Sequence, residues 1–305
     1  MPARRILVLF NPISGAGRAG RMAEESRQAL AAAGHNVAAC ATRATPAECW
    51  LPELLKDRDL AVVVGGDGAV RLVAGTLAAL DVPLWHVPGG TENLIARYFG
   101  MGAAPAQLVA AADAMQTRCI DCGRLDVGGV VSDFLLMASV GFDAATVHDL
   151  AARRRGPIRR WHYAPAILRQ WWNWRAPEVT LAVDGASPEK LGRGTLVIGN
   201  LPTYGFHLNL LDVADPCDGA LDALFLPCAT GTEAIRWAAR FWGRSPRELP
   251  GARRFRGAAF RVEVCGEGPA GWQTDGDACP LPANRSGHAQ VQVSPRKIHV
   301  LVPQP

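Results

Sequence analysis

The sequence predicts a two-part chain, an α/β domain on a parallel sheet followed by a β-rich domain. Strand–loop–helix units repeat through the first hundred or so residues, which is the pattern of a parallel sheet with crossover helices. After about residue 120 the texture changes to short apolar β-runs joined by connections carrying Gly and Pro. The length of 305 residues suffices for two domains. An apolar content of 49% with 20% charged residues supports buried cores and argues against long disordered stretches.

The elements follow in order. Ile6–Phe10 is a continuous apolar run ended by Asn11-Pro12, and Arg21–Ala33 is rich in helix formers up to Gly34. Leu60–Val64 is a second buried-type strand; beyond it Val70, Val73, Leu77 and Leu80 recur on one helical face. Leu84–Val87 is a third strand, and a helix is expected over Thr91–Phe99. In the second half Val130–Val140, Val179–Val183, Thr195–Ile198, Leu221–Leu226, Phe260–Val264 and Val291–Val293 read as strands. Helical patterns cover Ala144–Arg155, Arg159–Trp174 and Thr232–Trp242.

Charge narrows the function. Thirty-two Lys and Arg against 28 Asp and Glu leave +4, too little for a polycation, so nucleic acid is not an expected partner. The positive charge is local: seven arginines, four tryptophans and no acid lie between Arg153 and Arg175, and eight arginines against one acid, Glu248, lie between Arg236 and Arg261. No stretch has the ~18 apolar residues of a membrane-spanning helix, and the first apolar run is shorter than a signal-peptide core, so a cytoplasmic protein is expected. Of eight cysteines, Cys119 and Cys122 form the one CxxC, with no second pair to complete a zinc site; reduced, mostly structural cysteines are expected.

Three loops carry the chemistry. Asn11-Pro12-Ile13-Ser14-Gly15, with small residues running on to Gly20, allows close backbone approach to an anion at a helix start, although an ordinary strand–helix turn has the same composition. Gly65-Gly66-Asp67-Gly68 displays a carboxylate at a strand end, suited to a magnesium that bridges phosphates or to capping the next helix. In Pro88-Gly89-Gly90-Thr91-Glu92-Asn93, Thr91 is a candidate cap and Asn93 a neutral donor and acceptor for a phosphate or purine edge. Each loop follows a strand, and ligands bind such sheets outside the carboxyl ends of their strands, so the three should converge at one edge.

In order and spacing, Asn11-Pro12-x-Ser14-Gly15, Gly65-Gly66-Asp67-Gly68 and Gly90-Thr91-x-Asn93 resemble the diacylglycerol kinase catalytic-domain family, which includes bacterial soluble lipid kinases and the sphingosine and ceramide kinases. The resemblance continues through Val140-Gly141-Phe142-Asp143, Asp218-Gly219-Ala220-Leu221-Asp222 and Thr274-Asp275-Gly276-Asp277 to Ser294–Pro303. It implies a Rossmann-like, NAD kinase- and phosphofructokinase-like ATP-binding domain over 1–120, a β-sandwich lipid domain over 121–295, and a last strand, 296–305, that returns to the first domain. ATP would sit in the interdomain cleft and pass its γ-phosphoryl to a lipid hydroxyl.

Carried over residue by residue, the resemblance makes Asn11, Ser14, Gly15, Gly66, Gly68, Gly90, Thr91 and Asn93 nucleotide-site positions. It ties Asp67 to magnesium and phosphate, and Asp121 to the active-site network. Asp218 and the backbone carbonyl of Ala220 match a second magnesium site, and Asp277 stands where the family has its general-base Glu. This chain departs from the family at Ala69 for Thr, Leu72 for Glu and Leu94 for Asp, and Asp277 is one methylene shorter than Glu. As a helix, Arg159–Arg175 sets tryptophans among arginines in a way that suits an anionic membrane surface, or else forms a solvated rim. The expected activity is an ATP- and Mg2+-dependent lipid kinase, cytoplasmic and peripheral to the inner membrane face. A non-catalytic nucleotide- or lipid-binding relative and a kinase of a soluble alcohol stand as alternatives.

Overall fold

The computed structural model describes residues 2–12, 14–43, 45–153, 163–205, 208–241, 251–266, 271–280 and 287–304. Arg159, Arg160, Trp161 and Trp242, which belong to the two basic–aromatic segments, lie outside the described residues. The chain divides into two compact units, Met1–Ile120 with Arg296–Pro305, and Asp121–Pro295.

The first unit is built on a parallel sheet. Strands β1 (Arg5–Phe10), β2 (Asn36–Ala41), β3 (Leu60–Gly65) and β4 (Leu84–Pro88) lie in the order β2–β1–β3–β4. Every residue of β3 is buried, as a strand covered on both faces requires. Helices α1 (Arg18–Ala32), α2 (Leu51–Leu55), α3 (Asp67–Ala79), α4 (Leu94–Tyr98) and α5 (Pro105–Ala114) complete the unit. β2 and α5 carry weak sequence signals: β2 reads Asn-Val-Ala-Ala-Cys-Ala with no alternation, and α5 is alanine-rich with little contrast between its faces. α4 is shorter than the span Thr91–Phe99, because Asn93 takes a left-handed conformation (φ 53°) and starts the helix at Leu94.

The second unit is a β-sandwich with helices at its side. Its strands are β5 (Thr117–Val127, which enters from the first unit), β6 (Val130–Phe134), β7 (Met137–Val140), β8 (Glu178–Val183), β9 (Glu189–Gly199), β10 (Thr203–Tyr204), β11 (Leu208–Asn209), β12 (Leu221–Pro227), β13 (Arg253–Gly257), β14 (Ala259–Cys265), β15 (Trp272–Thr274) and β16 (Asp277–Ala278). β17 (His288–Leu301) pairs antiparallel with β14 through its first residues, and its Val300 pairs parallel with Leu84 of β4. Strand β9 joins the layers: its first half pairs with β8, its second with β7 and β12. Phe134, Phe225, Phe260, Trp272, Ile198 and Val291 meet in the core. The single strand expected over Val130–Val140 breaks at Leu135–Leu136, whose amides turn to the Asp275 side chain instead of a ladder partner. Helices α6 (Phe142–Ala152), α7 (Tyr163–Asn173) and α8 (Gly231–Arg240) pack side by side, α7 between the other two.

Candidate active site

In the first unit the three loops interlock through backbone. The Gly89 N–H donates to the Gly65 carbonyl at 2.8 Å, and the Asn11 N–H to the Val64 carbonyl at 3.2 Å. A Cβ on Gly90 would stand 2.5 Å from the Gly66 Cα, and one on Gly15 (φ 58°) would stand 2.7 Å from the Gly89 carbonyl oxygen. Glycine is therefore required at these contacts for steric reasons. Beside Gly68, in the first turn of α3, a Cβ would meet nothing within 4 Å, so that turn faces open space. The first N–H groups of a helix have no partner within it, and beside the glycine loops they form a cradle that fits a phosphate. The loop glycines and Ser14, whose N–H donates to the Asn11 carbonyl at 3.0 Å, are thus brought together as expected of convergent strand-end loops.

The side chains of these loops brace the cradle. Asp67 receives the N–H groups of Leu94 and Ile95, one on each oxygen at 3.0 Å, and so caps α4 from the neighbouring loop. Thr91 is exposed and makes no side-chain cap; Asp67 does that work. Asn93 accepts the Gly90 N–H at 2.8 Å and donates to the Gly90 carbonyl at 3.0 Å, so its amide shapes the loop. An ionised carboxylate oxygen accepts more than one bond. Magnesium bound with a nucleotide takes one or two protein carboxylates and draws its remaining ligands from phosphate and water. A lone carboxylate at Asp67 fits that use, and among the described residues no cluster of three His, Cys, Asp or Glu forms a self-sufficient metal site.

His86, which the sequence did not flag, lies fully buried beneath the cradle with Nε2 2.9 Å from the Gly65 carbonyl. Because that partner is an acceptor, Nε2 carries the proton. Burial holds the ring's pKa below its ordinary 6.5, against the opposing pull of Asp67 and the Gly65 carbonyl.

In the second unit the acidic groups surround the β15–β16 hairpin. Asp275 (φ 52°) and Gly276 (φ 85°) both take positive φ, the two-residue primed turn that Asp-Gly favours. The Asp275 carboxylate accepts the backbone N–H groups of Leu135, Leu136 and Met137 at 2.8, 2.8 and 3.0 Å. A second brace runs through Gln273, whose Oε1 accepts the Gly276 N–H at 2.8 Å while its Nε2 donates to Asp143 at 3.0 Å. Asp143 also accepts from Ser139 at 2.6 Å and from the Tyr204 hydroxyl at 3.1 Å. Burial raises the Asp143 pKa, with these three hydrogen bonds opposing it, and burial together with Asp143 holds the Tyr204 hydroxyl protonated. Asp277, just past the turn, is exposed. The sequence supplied Asp143 within a motif and Asp275 as a hairpin signal, but nothing local marks Gln273 or Tyr204.

Asp121 is fully buried and accepts the Gly219 N–H at 2.6 Å, which ties β5 to the loop holding Asp218. In that loop one oxygen of Asp218 accepts the Ala220 N–H at 3.0 Å and the other pairs with the Arg256 guanidinium. The neighbouring Arg254 pairs with Asp212 at 3.2 Å. A guanidinium thus stands where the resemblance puts a second magnesium. As arranged, Asp218 and Ala220 do not fit that ion without displacement of Arg256.

Helix α7 divides its aromatic residues. Trp174, just beyond it, is buried with its ring edge-on to Phe142 at 5.4 Å, and Trp171 donates to Thr232 at 3.0 Å. Leu168 and Trp172, four residues apart on one face, are 59% and 83% exposed.

A parallel-sheet unit with interlocked glycine loops at its strand ends, followed by a β-sandwich with a braced acidic hairpin, defines a protein of the class that joins a Rossmann-like α/β unit to a β-sandwich. Residues 5–125 match the diacylglycerol kinase catalytic domain, and residues 137–302 match the YegS C-terminal NAD kinase beta sandwich-like domain. A diacylglycerol kinase of Mycobacterium tuberculosis (strain H37Rv) is 32% identical over 307 residues, covering 98% of this chain and 96% of its own. A diacylglycerol kinase of Bacillus subtilis (strain 168) is 27% identical over 247 residues, covering 77% of this chain and 78% of its own. A crystal structure of a diacylglycerol kinase from Bacillus anthracis str. Sterne shares the fold, with a TM-score of 0.68 at 18% identity, covering 100% of this chain and 98% of that one. Another solved chain from that organism gives a TM-score of 0.76 at 18% identity over 99% of this chain and 98% of its own. The chain belongs to the diacylglycerol kinase family, a family of kinases, and its mixed α/β and β-sandwich architecture is the one the sequence predicts.

Proposed function

We propose that this protein is an ATP- and magnesium-dependent kinase whose acceptor is the hydroxyl of a diacylglycerol-like or sphingoid lipid. The observation that carries the proposal is the interlocked cradle, in which a Cβ on Gly90 would collide with Gly66 and α3 opens its first turn beside Gly68. Asn11, Ser14, Gly15, Gly66, Gly68, Gly90, Thr91 and Asn93 are assigned to the nucleotide, with backbone N–H groups neutralising phosphate oxygens. Asp67 is assigned to magnesium, which supplies charge neutralisation and alignment of the phosphates. Asp277 is the proposed general base: its carboxylate takes the hydroxyl proton as the lipid oxygen forms its bond to phosphorus and the bond to the leaving diphosphate breaks.

The lipid stays in the bilayer, so the enzyme must meet it there. We assign that contact to the exposed Leu168–Trp172 face of α7, with the exposed Arg175 nearby, acting on an anionic leaflet from the cytoplasmic side. No helix among the described residues is long and apolar enough to cross a membrane.

The test is ATP-dependent phosphate incorporation into a panel of hydroxyl lipids in vesicles, with Asp67→Ala and Asp277→Asn alongside. A phosphorylated lipid that appears with the wild type and is lost with both variants is the expected result. ATP binding with no product from any lipid would instead favour a non-catalytic relative, and phosphorylation of a soluble alcohol alone would sink the lipid assignment.

A further inference from the structure

Away from the cradle, on the first unit, β5 and β17 lie side by side and bring a thiol, an imidazole and a carboxylate into one line. The Cys119 Sγ is 3.6 Å from Nδ1 of His299, and Nε2 of the same ring is 3.2 Å from Oδ1 of Asp81. Asp81 stands in the turn between α3 and β4 with φ 54°, so its position is set by the backbone. With Nε2–H donating to the carboxylate, Nδ1 keeps its lone pair toward the thiol. A nucleophile within reach of a base that a third group orients is the arrangement by which proteins activate cysteine.

Six of the other seven cysteines have different surroundings, and Cys217 is half-buried in the loop beside Asp218. Cys122, Cys228 and Cys279 are buried, and burial pushes the Cys228 thiol above its usual pKa. The Cys265 thiol faces the Glu263 carboxylate at 3.9 Å, and the Cys40 thiol is spent on the Ala41 carbonyl. Cys49 is exposed and serves as an internal standard.

We propose that Cys119, with His299 as its base and Asp81 as the orienting group, is a reactive site for thiol–disulfide exchange with low-molecular-weight disulfides. His299 Nδ1 takes the thiol proton, and the Cys119 sulfur attacks one sulfur of the disulfide. The S–S bond breaks as a mixed disulfide forms at Cys119, and the released thiolate recovers the proton from the imidazolium and leaves as a thiol. The co-reactant is the disulfide itself, so no other oxidant enters. The CxxC spacing has no part in this, since Cys119 is half-buried beside His299 whereas Cys122 is buried.

The experiment exposes the full-length reduced protein to glutathione disulfide at pH 6.5, where an unassisted thiol is mostly protonated, and follows each cysteine by peptide mass mapping. Cys119 is expected to form its mixed disulfide about tenfold faster than Cys49. His299→Gln should bring Cys119 down to the Cys49 rate, and Asp81→Asn, at a largely exposed residue, should lower it partway while leaving the thermal midpoint unchanged. A Cys119 rate no greater than that of Cys49, or a rate unaltered in both variants, overturns the assignment.

Discussion

Asp275 and Asp277 are two residues apart, and replacing them should give opposite phenotypes. Asp275→Ala strips acceptors from three amides on Leu135, Leu136 and Met137, all buried residues. Each unsatisfied buried amide costs about 1–3 kcal/mol, and partial rehydration of the turn brings the sum to roughly 3–5 kcal/mol. Alanine at φ 52° adds about 1 kcal/mol of backbone strain. With an m-value of about 2 kcal/mol/M, the urea midpoint of the second unit should fall by roughly 2–3 M. Asp277 is exposed, so Asp277→Asn should lower the midpoint far less than Asp275→Ala does. Its turnover should nonetheless fall by about 10²–10⁴-fold, the contribution of a general base. Urea titrations and lipid-phosphorylation rates on both variants settle the matter. A near-native midpoint for Asp275→Ala, or equal destabilisation by the two substitutions, refutes the division of labour between bracing and proton transfer.

Three further outcomes are expected. In Arg256→Gln the Asp218 carboxylate loses its guanidinium, so millimolar magnesium should raise the thermal midpoint of the variant more than that of the wild type; an equal response would show that Arg256 does not compete for that site. Because His86 is held below its ordinary 6.5, the unfolded chain binds more protons than the folded one as pH falls through 6.5, so stability is full above that value and declines below it. His86→Gln should flatten this decline in thermal scans between about pH 6.5 and 5, and an unchanged slope would assign it to other groups. Leu168→Ser with Trp172→Ser should reduce sedimentation with anionic vesicles about tenfold or more without altering turnover on detergent-dispersed lipid, and unchanged vesicle binding would remove α7 from the membrane contact.

Legibility differed between the units for physical reasons. In the parallel sheet, apolar runs such as Leu60–Gly65 are buried on both faces, so composition alone marks them, and the glycine loops at their ends carry their own punctuation. β5 was harder to see, because Arg118, Asp121 and Arg124 interrupt its apolar pattern. The same holds within the site. Gly65-Gly66-Asp67-Gly68 is visible as a string, but the function of Asp67 as a cap for α4 depends on residues 27 and 28 positions later. His86 and Gln273 act entirely through long-range partners, Gly65 and Asp143, and each sits in a strand where a polar residue has no distinctive local signature. Contacts of that kind belong to tertiary structure, and a single sequence does not encode them in any nearby spacing.

The departures from the family pattern bear on activity in different ways. Leu94 is buried and contributes its backbone N–H to Asp67, a bond any residue except proline can make. Ala69 is buried with its Cβ close against Gly65, and its own N–H donates to the Gly66 carbonyl at 2.9 Å. Leu72 lies at the edge of exposure on α3, clear of the loop contacts that close the cradle. The cradle's chemistry resides in amides and in the absence of Cβ atoms, and none of these three substitutions changes either. Asp277 is different, because in the proposed reaction its side chain itself is the working group and its reach is one methylene shorter than that of Glu. Any loss of rate relative to a Glu-bearing relative should therefore appear in the chemical step, and Asp277→Glu is the substitution that would recover it. A rise in kcat with unchanged KM for ATP would confirm that assignment, whereas a rise in KM alone would place Asp277 in nucleotide binding.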